Sequence, residues 1–114
     1  MAMFVKHDLG HCSAGSVVEV TPEQTSNVWL VDAHNFELYR RGRRCRAVGG
    51  TVPVDTTVQL QVLTDDRWMV IVDLGGGRGR IRASVRKLEP AAIDADVAET
   101  LPRAVTAERL LSGR

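Results

Sequence analysis

The stretch Arg67-Trp68-Met69-Val70-Ile71-Val72-Asp73-Leu74 decides how the chain is read. Residues 68 to 72 are apolar at every position, which predicts a strand buried on both faces. Gly75-Gly76-Gly77 and Gly79 follow and supply the positive φ angles that a hairpin loop needs. Beyond them Ile81, Ala83 and Val85 alternate with Arg80, Arg82, Ser84 and Arg86, which predicts a strand with one dry and one wet face. The expectation is a central hairpin in a small β domain.

Working outward, strands are predicted from Met3 to Leu9, Ser16 to Thr21, Asn27 to Asp32, Arg43 to Val48 and Thr56 to Leu63. Gly10 to Gly15 is a loop, Pro22 ends a strand because it has no N–H to donate, and Gly49-Gly50 is expected to end another. In the strand of residues 56 to 63, Val58, Leu60 and Val62 point inward and Thr57, Gln59 and Gln61 outward. Asp32 or Asn35 can cap a short helix that carries Phe36 and Tyr39 on one face, with Gly42 as its left-handed stop. Together these give an all-β fold: a small antiparallel β-sandwich of about seven strands with one short helix.

After Glu89-Pro90 the pattern weakens. Residues 91 to 111 are Ala-rich, with Ile93, Val97 and Leu101 four apart, and read as a weakly helical or flexible C-terminal tail. The domain is therefore set at residues 1–89 and the tail at 90–114.

The chain has 114 residues and a formal charge of +1, so it is one domain and no general polyanion binder. Its basic residues are nonetheless unevenly spread: ten of the fifteen lie in residues 40 to 46 and 78 to 87. Lys6, His7 and Asp8 interrupt the first apolar run, which speaks against a secretory signal, and no run approaches the roughly 20 apolar residues of a membrane span. Cys12 and Cys45 without an export signal suggest reduced thiols in a cytoplasm, with a disulfide between them as the less favoured alternative.

Several fragments resemble a bacterial family known as domain of unknown function 1883. They are Phe4-Val5-Lys6-His7-Asp8-Leu9-Gly10, Asn27-Val28-Trp29-Leu30-Val31-Asp32, Asn35-Phe36, Tyr39, Gly42-Arg43-Arg44, Gly49-Gly50, Trp68 to Gly76 and Ala83-Ser84-Val85-Arg86. The resemblance spans roughly residues 3 to 88, in order and at compatible spacing. It implies a small, mostly β fold, found alone or beside signalling domains such as TIR domains, and it implies no reaction and no substrate. His7 stands where the family pattern would have an aromatic, and Cys12 and Cys45 are not part of that pattern.

Chemistry-bearing residues give little support to catalysis. His7, His11 and Cys12 are ligand types for zinc, but their spacing crosses Gly10 at a strand end and no Cys-x-x-Cys pair accompanies them, so no metal site is assigned. His11 and Cys12 are adjacent in an extended chain and point to opposite sides, which disfavours a nucleophile–base pair. The loop of residues 75 to 79 lacks the Gly-Lys-Ser/Thr ending of a P-loop and leads into a strand, although its amides could form a small anion nest beside Arg78. Asp73, in line with Met69 and Ile71, is read as structural and in need of a partner, with Arg80 or Arg82 across the hairpin as candidates.

The arginines are the ligand-binding candidates: Arg44, Arg46, Arg78, Arg80, Arg82 and Arg86. Arg80, Arg82 and Arg86 share one strand face, as do Arg44 and Arg46 on theirs, and guanidinium forks match phosphate and carboxylate. A single such row is most often a solvated face; two rows on one sheet would repel each other unless acids or an anion intervened. Few aromatics are available for base stacking, which disfavours nucleic acid. The leading reading is a non-enzymatic binding or interaction module, without cofactor, for a small anionic ligand or a partner protein on an Arg-rich sheet face. The alternatives are an enzyme acting on a phosphorylated or acidic substrate at the same surface, and a purely structural protein-interaction domain.

Overall fold

In the computed structural model, residues 4–74 and 81–88 are described, together with the backbone of residues 108–112. The stretch that opens the sequence reading forms strand β6 (Asp66–Asp73), and it is buried on both faces as expected. Trp68, Val70 and Val72 face one hydrophobic cluster, and Met69 and Ile71 face another. Five further strands precede it: β1 (Phe4–Cys12), β2 (Val17–Pro22), β3 (Ser26–Asp32), β4 (Arg44–Val52) and β5 (Val58–Gln61). One helix, α1 (Ala33–Arg40), lies between β3 and β4, while β7 (Ala83–Leu88) and β8 (Glu108–Ser112) follow β6.

These strands form two antiparallel sheets. One has the order β1-β6-β3-β4-β8 and the other β5-β2-β7. Val28 and Leu30 of β3, Val48 and Val52 of β4, and Trp68, Val70 and Val72 of β6 meet Val18, Val20 and Leu60 from the smaller sheet. The opposite face of the larger sheet carries Val31, Cys45, Ala47, Met69 and Ile71, and Phe36 and Tyr39 of α1 close over it. A central strand between a sheet and a helix has no wet face, which explains its unbroken apolar run.

Local chemistry sets the helix ends. The Asp32 carboxylate accepts the Asn35 N–H at 2.8 Å, and Gly42, at φ +75°, turns the chain out of the helix. Both devices match the sequence reading.

Four sequence expectations change. First, β6 and β7 are not a hairpin: β6 pairs with β1 and β3, while β7 pairs with β2 in the other sheet. Alternation in a strand tells which face is dry, and a strand of either sheet can satisfy it. Second, Gly49-Gly50 does not end β4, which runs on to Val52. Gly49 has φ +142°, and a Cβ there would run into the Val28 carbonyl oxygen, so the glycine lets two strands approach within the sheet.

Third, β1 extends past Leu9 to Cys12, because a bulge between Asp8 and Gly10 absorbs the irregularity and Gly10 takes φ +69°. Fourth, of the tail expected to be weakly helical or flexible, residues 108–112 are an eighth strand on the edge of β4, and residues 89–107 lie outside the described residues. In addition, Gln59 keeps its outward register opposite Glu19 yet is buried, and its Oε1 has no hydrogen-bond partner among the described residues.

Candidate functional site

β7 pairs with β2, and Val85 and Ala83 pack inward against the sandwich core. Alternation then turns Ser84 and Arg86 outward, with Arg82 just ahead of the strand on the same side, and all three are exposed. Arg86 stands directly across from Glu19 of β2. No ion pair forms between them, and among the described residues neither Arg82 nor Arg86 has a carboxylate partner.

Arg44 and Arg46 sit elsewhere. They are exposed on β4 of the five-stranded sheet, and they too lack an ion pair among the described residues. In the sandwich β5 lies against β4, whereas Lys87 of β7 donates from its Nζ to the carbonyls of Leu9 and His11 on β1, at 3.5 and 3.4 Å. The β7 row is thus on the β1 side and the β4 row on the far side. The two rows belong to different sheets, a relation that depends on strand order and that the sequence leaves open. Arg78, Arg80 and the loop of residues 75 to 79 lie outside the described residues.

Asp73 is half-buried at the end of β6, and its described partners are an amide and a phenol. Asn27 Nδ2 donates to its Oδ1 at 3.0 Å, and the Tyr39 hydroxyl reaches its Oδ2 at 3.4 Å. Thr51 in turn donates to Asn27 Oδ1 at 2.8 Å. This chain ties β4, β3, β6 and α1 together, a structural use of the carboxylate.

The cysteines lie on opposite faces of the larger sheet, Cys12 in the sandwich core and Cys45 under α1, and no disulfide joins them. Burial, and after it the Asp32 charge, pushes the Cys45 thiol above its ordinary pKa. Cys12 is fully buried while His11 is exposed, so the adjacent pair points apart as alternation requires. Among the described residues no group of three or more His, Cys, Asp or Glu is placed to hold a metal ion. No helix among them is long and apolar enough to cross a membrane.

The sequence reading missed a concavity of about 250 Å³ between α1 and β1. Ala33, Phe36 and Met69 form its apolar floor, and Lys6, Asp8, Glu37 and Arg67 form its rim. The charges largely answer one another. Arg67 pairs with Asp8 across β1 and β6, and Arg40 pairs with Glu37 at 2.7 Å along the helix. The hydrogen bond from Arg67, and then that from the Gly10 amide, holds the Asp8 carboxyl below the usual carboxylate range; the Arg40 hydrogen bond does the same for Glu37. Lys6 instead sits over the Phe36 ring, 4.9 Å from its centre. The alternation of Lys6 and Asp8 along β1 was the available signal for this rim, but which helix residues would face it depended on the fold.

A family model described as a domain of unknown function (DUF1883) matches residues 2–91. No curated protein and no solved structure matches the chain.

Proposed function

The chain belongs to the DUF1883 family, and from that premise we propose that it is a non-enzymatic interaction module that recognises an acidic partner through the exposed arginine row of β7. One observation carries the reading: Arg82 and Arg86 share an outward face and lack a carboxylate partner among the described residues, whereas Arg40, Arg41 and Arg67 are each ion-paired. Unneutralised guanidinium forks on a rigid sheet bind carboxylate or phosphate with two parallel hydrogen bonds and little ordering cost. Arg44 and Arg46 form a second, separate basic patch, so a compact anion would engage one row and only an extended partner both.

The test is a thermal-shift series with inorganic tripolyphosphate, nucleotides, sugar phosphates and a Glu-rich peptide, because a ligand of the native state raises its Tm. The expected result is a rise that is lost in Arg82→Glu and weakened by salt. An unchanged Tm with every anion would refute the reading.

A further inference from the structure

We infer that β1 is a self-pairing edge, through which two copies of this chain join their five-stranded sheets into one continuous antiparallel sheet. β1 is nine residues long and occupies one end of the strand order β1-β6-β3-β4-β8, so its outer side has no strand partner among the described residues. Such an edge is a template for another strand. At its far end Lys87 already donates to the carbonyls of Leu9 and His11, which leaves Phe4 to Asp8 as the open stretch.

The side chains of that stretch select both the partner and the register. Val5 and His7 are half-buried, Lys6 and Asp8 exposed, and Leu9, packed against the sandwich core, is also half-buried. In an antiparallel pair related by a two-fold axis, each residue faces one fixed residue of the second copy. Centring the axis on Lys6 sets lysine against lysine, and centring it on Asp8 sets acid against acid. Centring it on His7 places Lys6 opposite the second copy's Asp8 in both directions, within the open stretch. Opposite charges directly across a ladder are favourable, and like charges are not.

Lys6 makes no ion pair among the described residues: it lies over the Phe36 ring, and its charge acts on Asp8 and Glu37 of its own chain only from a distance. No other described edge is so matched. A self-pairing of β7 about Val85 would set Arg86 against Ser84 and Lys87 against Ala83, with no acid to meet either cation. In the paired assembly both α1 helices lie on the same face of the joined sheet, and the two concavities between α1 and β1 become neighbours.

The experiment is sedimentation of the full chain across a concentration series, with His7→Cys as a register probe. The expected result is a concentration-dependent dimer, and under mild oxidation His7→Cys links to itself while Ser84→Cys, exposed on the other sheet, does not. Lys6→Glu and Asp8→Lys are each expected to be monomeric, and an equal mixture of the two to recover a dimer, because every acid then faces a lysine. Circular dichroism of each variant checks that it is folded. A wild-type chain that stays monomeric throughout would overturn the inference and leave the edge to a different protein or to solvent. A dimer that survives Lys6→Glu, or cysteine linkage no faster at position 7 than at position 84, would place the contact elsewhere and overturn it equally.

Discussion

The Oδ1 of Asn35 accepts the backbone N–H of Arg46 at 2.8 Å, while its Nδ2 donates to Asp32 at 3.0 Å. One amide thus fastens the first turn of α1 to the strand that follows it and holds the start of β4, where Arg44 and Arg46 are displayed. Asn35→Ala removes both bonds. It is expected to cost about 1–2 kcal/mol, comparable with loss of a helix cap, as read by urea denaturation. A loss below about 0.3 kcal/mol would show that neither bond counts.

Gly49 and Gly10 both take positive φ, and only Gly49 has an obstacle in front of it. Gly10→Ala should therefore cost about 1–2 kcal/mol of backbone strain. Gly49→Ala adds a clash with the Val28 carbonyl and should lose distinctly more stability, or yield no folded protein. Equal losses for the two variants would contradict the close approach of β3 and β4.

Phe36 is 8% exposed, meets Phe4 edge-on at 6.2 Å and carries Lys6 over its ring. Phe36→Ala should cost about 3 kcal/mol or more. A near-neutral result would make the ring a surface platform of the concavity instead of part of the core beneath α1.

Acid should weaken the protein partly through Asp8. Its carboxyl titrates below the usual range when folded, so its contribution is fully present above the unfolded value and is lost as pH falls through the folded one, a window below about pH 4. Between pH 5 and pH 3 the Tm of Asp8→Asn should fall less than that of the wild type, by a small margin that high salt reduces further. A larger fall in the variant would reverse the sign and the explanation.

The sequence reads residues 90–114 as a weakly helical or flexible tail, which would add little to the stability of the domain. The pairing of residues 108–112 with Arg44 to Val48 predicts otherwise. Ending the chain at residue 90 should leave a cooperatively folding domain whose Tm is lower by about 5 °C or more, since about 1 kcal/mol corresponds to about 4–8 °C at this size. An unchanged Tm would mean that the added strand contributes nothing.

What was legible in the sequence was whatever depends on one element at a time. The unbroken run from Trp68 to Val72 marked the doubly covered strand, and Asp32 and Gly42 marked both ends of α1. Pairing was not legible. Ile81, Ala83 and Val85 announce a dry face without saying which sheet owns it, and Gly49-Gly50 looks like a stop where it is a point of close approach. The candidate site suffered for the same reason. Arg82 and Arg86 align because they share one strand, while their relation to Arg44 and Arg46 depended on sheet membership that no local pattern encodes.

The most direct test of the proposed function is a titration of the isotope-labelled chain with a Glu-rich peptide, followed by amide shifts in two-dimensional NMR. The account predicts saturable shifts concentrated on Arg82 to Lys87 and their β2 neighbours, abolished in Arg82→Glu and reduced by salt. Shifts confined to the concavity of α1 and β1, or no shifts at all, would contradict it.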